Sequence, residues 1–299
     1  FRFHNTNLLL PEFSKYLFRD EQMRKQIAKT ASGVTRFNVS KKRFAKMTIP
    51  LPPLAIQEEI VKILNSFTEL EAELEAELEA ELEARKTQYT YYRDELLNIK
   101  DAVYKTLREV GTIVRGNGLQ KKDFTETGVG CIHYGQIYTY YGTFADKTKS
   151  FVTPELAKKL KKAQKGDVLI AGVSENIEDI CKPLGWLGDE ICISGDMFAF
   201  RHNQNTKFIT YLLQTTNFQR YKERFAHGAK VIRVKQDKIL DYKIPVPPLA
   251  EQERIATILD KFDALVNGIS IGLPAELSAR RSQYEYYRGK LLTFNEYVH

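Results

Sequence analysis

Apolar residues recur at helical spacing in two places, each just after a pair of prolines. Ile56, Ile60, Ile63, Leu64 and Phe67 follow Pro52-Pro53. Proline pre-sets φ at a helix start, so the spacing predicts a helix running to about Asn98. Some 45 residues at 1.5 Å per residue make a rod of about 65 Å. Ile255, Ile258, Leu259 and Phe262 follow Pro247-Pro248 in the same way. Gly268, Gly272 and Pro274 predict a break near Gly272 in this second helix. Shorter apolar runs predict strands at Cys131–Ile137, Asp167–Ala171 and Met197–Phe200. Phe208, Tyr211, Leu212, Phe218 and Tyr221 form the core stripe of a helix over Lys207–Phe225, and a matching helix is expected over Leu9–Ala28. Helical rods beside mixed globular parts make an α+β class.

Inside the first rod the pattern tightens to a tandem repeat of four residues. Leu70, Leu74, Leu78 and Leu82 recur every four, with Ala72, Ala76, Ala80 and Ala84 between them and Glu elsewhere. All three residue types favour helix. A period of four drifts about 40° per repeat, so the stripe suits a spacer better than a long straight zipper. A solvated acidic helix or a plain coiled coil is the blander reading.

The whole pattern is used twice. Residues 49–64, Ile-Pro-Leu-Pro-Pro-Leu-Ala-Ile-Gln-Glu-Glu-Ile-Val-Lys-Ile-Leu, return at 244–259 with eleven of sixteen positions identical. Residues 84–97 return at 279–292 with nine of fourteen identical. The offset is 195 in both blocks, and it also relates Gly33 to Gly228, Val39 to Val234 and Tyr16 to Tyr211. Each unit therefore reads as a globular part, a Pro-rich hinge and a long helix. The second globular part, about 103–245, is complete. The first keeps only its end, so a fragment or truncated product is expected.

Charge sharpens this division. The chain of 299 residues carries +7 overall, yet Glu69 to Ala84 holds eight Glu and no Lys or Arg. Everything outside that rod is therefore strongly basic, which suggests a polyanion partner for the globular parts alone. A merely basic surface is the alternative. No run of about 18 apolar residues marks a membrane span. Three cysteines in no C-x-x-C, with no signal-peptide layout, indicate reduced thiols and a cytoplasmic protein.

Catalytic motifs are missing from the sequence. There is no P-loop, no G-x-G-x-x-G opening a helix, and no Asn-Pro-Pro-aromatic motif of an amino-methyltransferase. The five histidines show no metal-ligand spacing. Glu178-Asp179-Ile180-Cys181-Lys182 is an ordinary turn before it is a nuclease centre. No cofactor is implied. What remains are basic and aromatic loops. Arg36, Lys41, Lys42 and Arg43 follow Gly33, while Lys230, Arg233 and Lys235 follow Gly228. Lys121 and Lys122 follow a Gly-Asn-Gly turn. Tyr134, Gln136 and Tyr138 mix phenols with an amide, and Arg201-His202 ends a strand. Cations at loops can bond phosphates, and Gln, Arg and Tyr can read base edges. Each residue alone could equally be a solvated or core side chain. At the rod ends, Gln88, Tyr89, Tyr92 and Arg93 match Gln283, Tyr284, Tyr287 and Arg288, which suits either helix packing or two equivalent docking faces.

The repeat, the Ile-Pro-x-Pro-Pro-Leu-Ala-x-Gln-Glu hinge and the Gln-Tyr-x-Tyr-Tyr-Arg-x-x-Leu-Leu helix end resemble the specificity subunits of type I restriction–modification enzymes. The resemblance implies two α/β target recognition domains, each followed by a long helix, with the two helices packed as an antiparallel coiled coil and the first recognition domain truncated. On that basis residues 1–48 are the end of the first recognition domain, 49–98 the first spacer helix, 99–245 the second recognition domain and 246–299 the second helix. It also implies a non-catalytic reader of a bipartite site on double-stranded DNA. Two methyltransferase subunits would dock on it and restriction subunits would join through them. Methylation and ATP-driven cleavage would be theirs. A half-subunit that pairs with a second specificity chain through its helices is the alternative. The four-residue repeat resembles the family's device for spacing half-sites.

Overall fold

The computed structural model describes residues 8–33, 36–267 and 273–294. The chain forms two compact units, Phe1–Glu83 with Ile269–His299, and Ala84–Gly268.

In the first unit two short helices, Pro11–Leu17 and Glu21–Thr30, replace the single helix expected over Leu9–Ala28. Asp20 causes the break, because its carboxylate accepts from the Gln22 N–H and starts the second helix. A two-stranded hairpin, Ala31–Ser32 with Asn38–Val39, follows. At Gly33, φ is +135°, and a Cβ there would lie 1.9 Å from the Arg36 carbonyl oxygen, so only glycine fits. Phe13, Tyr16, Leu17 and Met23 pack with Ile60, Leu64 and Leu292 in one core. Along the two rods of this unit, the residue numbers of paired side chains rise on one helix as they fall on the other. Phe67 meets Tyr287 at 6.4 Å between ring centroids, Thr68 Oγ1 lies 3.0 Å from the Tyr284 hydroxyl, and Arg281 pairs with Glu75. Of the leucine stripe, Leu70 is exposed and Leu74, Leu78 and Leu82 are half-buried.

The first rod is one helix, Leu54–Leu97, as its spacing predicts. The second is described as Leu249–Asn267 and Leu273–Leu292. The break expected at Gly272 lies outside the described residues.

Among the described residues the second unit holds two larger sheets, two two-stranded pairs and the helices that cover one of the larger sheets. A five-stranded sheet runs in the order Gly111–Arg115, Met197–His202, Val168–Ala171, Pro183–Trp186, Phe144–Ala145. A four-stranded sheet runs Ser150–Val152, Val129–Ile132, Ile191–Ile193, Lys162–Ala163. Side-chain alternation assigns the two faces of the larger sheet. Leu169, Ala171, Met197 and Ala199 join Ile132, Ile191 and Ile193 in the core between the sheets. Val168, Ile170, Phe198 and Phe200 point the other way, onto Phe208, Tyr211, Leu212 and Phe218. The helix expected over Lys207–Phe225 is two helices, Thr206–Leu212 and Thr216–Glu223, because the Thr215 hydroxyl accepts from the Phe218 N–H and opens a new one. The strand expected over Cys131–Ile137 is also corrected. It spans Val129–Ile132, and Tyr134–Thr139 is helix. Finally, Lys243–Pro245 pairs antiparallel with Tyr104–Thr106, so the segments entering and leaving the sheets lie side by side.

Candidate nucleic-acid interface

The loop after Gly228 is built much as the Gly33 loop is. Gly228 has φ +119°, and a Cβ there would sit 2.1 Å from the Val231 carbonyl oxygen. The chain then forms the short strand Ile232–Arg233, which pairs with Val173–Ser174, while His227 bridges Arg233 across the turn. Lys230, Arg233 and Lys235 are all exposed on this loop.

The Tyr134–Thr139 helix reaches the same place. The Tyr138 hydroxyl donates at 2.8 Å to the carbonyl of Val173, the strand residue that pairs with Arg233. The Tyr134 N–H donates to Ser194 Oγ at 3.0 Å, and Arg115 Nε donates to the Gly195 carbonyl at 3.2 Å. Beside the Gly228 loop a cleft of about 290 Å3 is lined by Arg115, Gly172, Gly195, His227, Arg233 and Lys235 among others. Asp196 and Asp237 also line it, so the cationic character is local rather than uniform. Lys121 stands near the start of the helix, where its charge adds to burial in holding the His133 imidazole below its usual range. Neutral His133 then accepts from the Gly135 N–H. Lys122 is exposed beside Lys121 on the same turn.

Not every expected contact residue is free to serve. Gln136 is buried. Its carbonyl oxygen accepts from the His133 N–H at 2.9 Å and its amide donates to Ser150 Oγ at 2.7 Å, so it caps the helix. Tyr138 spends its hydroxyl on Val173, and burial pushes its ionisation upward. Arg201 forms a two-pronged pair with Asp167, at 3.2 and 3.1 Å. His202 accepts from the Gln204 N–H, and burial pushes its imidazole down to about 4. Its strand is in register with Arg115 at Phe198 and with Gly111 at His202, which puts Arg201 and His202 at the far end of the sheet from the cleft. Arg36, Lys41, Lys42 and Arg43 belong to the first unit. All four are exposed, the last three on a helical turn whose Ser40 hydroxyl accepts from the Arg43 N–H.

Three cations at the second unit's surface escaped sequence reasoning. Arg115 ends a strand just before Gly116, a position that could have been read as a loop-mouth cation. Lys182 lies 6.0 Å from the Tyr138 ring centre and Lys149 4.4 Å from that of exposed Tyr140. Neither pairing has a signature at short sequence range.

At the rod ends, packing takes much of what was expected for docking. Tyr89 is buried, and Arg93 lies over its ring while bonding Asp94 at 3.1 and 3.0 Å. Tyr92 stacks on Phe262 with centroids 6.0 Å apart and stays 42% exposed. In the first unit Arg288 lies over Tyr284, whose hydroxyl meets Thr68, and Tyr287 stays 43% exposed against Phe67. Gln88 and Gln283 are exposed. Among the described residues no cluster could hold a metal ion, and no helix is long and apolar enough to cross a membrane.

The profile of the type I restriction modification DNA specificity domain matches residues 1–84 and 99–279. A type I restriction enzyme specificity subunit of Escherichia coli is 36% identical over 260 residues, covering 83% of this chain and 63% of that protein. A putative type I restriction enzyme specificity subunit of Haemophilus influenzae is 35% identical over 281 residues, covering 88% of this chain and 68% of that protein. The chain thus spans roughly two thirds of the length of these curated relatives. Among solved structures, a chain from a type I R-M system superposes with a TM-score of 0.72 at 20% identity, covering 96% of this chain and 71% of that one. The HsdS subunit from Thermoanaerobacter tengcongensis gives 0.54 at 19% identity, with 96% and 70% covered. These two likenesses carry the fold.

Proposed function

We propose that this chain, which belongs to the type I restriction–modification DNA specificity family, is a non-catalytic reader of double-stranded DNA. The observation that carries the reading is the set of exposed cations on the Gly228 loop, Lys230, Arg233 and Lys235, beside a cleft that Arg115, Arg233 and Lys235 line, with Tyr138 bonded to Val173, the strand partner of Arg233. Exposed cations there neutralise phosphates and position the duplex. Gln136, Tyr138, Arg201 and His202 hold the domain's shape. Lys121, Lys122, Tyr134, Lys149 and Lys182 extend the contact surface. In the first unit Arg36 and Lys41–Arg43 play the part of the Gly228 loop.

The domain plan follows the sequence division at 48/49, 98/99 and 245/246. The two rods run antiparallel as a coiled coil. Support comes from contacts that repeat at the 195 offset. Phe67 meets Tyr287 in one unit and Tyr92 meets Phe262 in the other. Methyltransferase subunits, one per rod end, dock on the exposed edges of Tyr92 and Tyr287 with Gln88 and Gln283, and restriction subunits join through them. The protein works in the cytoplasm, where its DNA is.

Selection of bound duplexes from a random-sequence library by the purified chain tests the reading. A single recovered half-site motif is expected. Recovery without sequence preference would overturn it.

A further inference from the structure

Each hinge carries a glutamine with no exposed surface, Gln57 in the first unit and Gln252 in the second. They stand 195 residues apart. Gln57 donates to the Pro52 carbonyl at 2.7 Å and to the Leu8 carbonyl at 2.8 Å, and accepts from the Leu10 N–H at 2.9 Å. Gln252 donates to the Pro247 carbonyl at 2.8 Å and to Gln204 Oε1 at 2.7 Å, and accepts from the Asn205 N–H at 3.0 Å. Pro52 and Pro247, and Leu10 and Asn205, are likewise 195 apart. Only the third bond differs, where a side-chain oxygen of Gln204 serves in place of a main-chain carbonyl.

The partners explain the choice of residue. Leu10 and Asn205 are the N-caps of Pro11–Leu17 and Thr206–Leu212, so their N–H groups lie at the mouths of helices that belong to the globular parts. Pro52 and Pro247 belong to the hinge. An amide alone among uncharged side chains offers two donors and an acceptor at one point. In a dry site each of these main-chain groups would otherwise be left unsatisfied, which costs about 1–3 kcal/mol apiece. Asn205 closes the joint further: its carbonyl oxygen accepts from the Phe208 N–H and its amide donates to Glu253.

We propose that Gln57 and Gln252 are positioning residues that lock each globular part to the start of its own rod, so that the DNA-reading face is held at a fixed angle to the helix. The inference deepens the DNA-reading function proposed above and rests on it for its meaning, though not for its test. A reader that could pivot at Pro247-Pro248 would tolerate many spacings between half-sites. A locked joint converts rod length into spacing.

The test uses the full chain carrying spin labels at Glu126→Cys in the sheet region and Lys261→Cys on the second rod. Both positions are exposed, and Cys131, Cys181 and Cys192 are buried away from the reagent. Pulsed dipolar spectroscopy should give one narrow distance distribution. With Gln252→Leu it should broaden, while affinity for a DNA half-site stays within about twofold because the cleft is remote. With the near-isosteric Gln252→Met, which keeps the volume but offers no N–H donor, it should broaden likewise. An unchanged narrow distribution in Gln252→Leu would overturn the proposal. Should that variant fail to fold, an unchanged narrow distribution in Gln252→Met would do so instead. Loss of DNA binding by the parent chain would sink the reader function and leave the distance result standing.

Discussion

Replacing Lys230, Arg233 and Lys235 together by Ala should flatten the salt dependence of DNA binding. All three are exposed, and none forms an ion pair among the described residues, so removing them leaves no buried partner uncompensated. Each phosphate neutralised contributes about 0.9 to the slope of log affinity against log salt. Three contacts would therefore lower the slope by about 2.7, and a single contact by about 0.9. Raising salt fourfold should then cost the variant about fortyfold less affinity than it costs the parent, if all three contacts exist. Fluorescence anisotropy with a labelled duplex over a salt series measures this directly. Arg201→Ala is the control. It deletes a cation of equal charge, but one committed to Asp167 at the far end of the sheet, so the slope should hold while stability falls by about 1–2 kcal/mol. An unchanged slope in the triple variant, or an equal flattening in Arg201→Ala, would refute the assignment of the interface.

Three further outcomes are expected. His202 titrates near 4 in the folded chain, below its ordinary value of 6.5, so its contribution to stability is full above about 6.5 and fades as pH falls toward 4. Denaturant melts should lose about 2 kcal/mol from this residue between neutrality and pH 5, and His202→Gln should remove that part of the dependence. Tyr92→Ala with Tyr287→Ala should abolish co-purification with methyltransferase subunits if the exposed ring edges dock them. Intact assembly with a lowered melting temperature would assign both rings to packing. Deleting Leu74–Glu77 removes about 6 Å and about 40° of rod, and one B-DNA base pair advances about 3.4 Å and turns about 35°. With an intact first recognition domain supplied upstream or by a second chain, methylation across a spacer series should shift its optimum by one base pair. A fixed optimum would make the acidic helix a solubilising element only.

The rods were legible because helix periodicity and the flanking prolines are local signals, and Leu54–Leu97 lies where they point. The helix breaks at Asp20 and Thr215 also carry a local signal. Both are N-cap residues, and the 195 offset relates them. The Tyr134–Thr139 helix was harder, since its aromatic run suits a strand and only the His133 and Gln136 caps turn it. At the interface, the Gly228 loop could be read from its glycine and cations. The pairing of Arg201 with Asp167 could not, because 34 residues separate them and no short-range pattern reports a contact across a sheet.

The strand Lys243–Pro245 beside Tyr104–Thr106 brings the two ends of the second globular part together at one point. A module whose ends meet behaves as a cassette: it can be cut out and another spliced in through a single doorway, with no change of path in the neighbouring chain. Any replacement that keeps this one antiparallel pairing inherits the same frame.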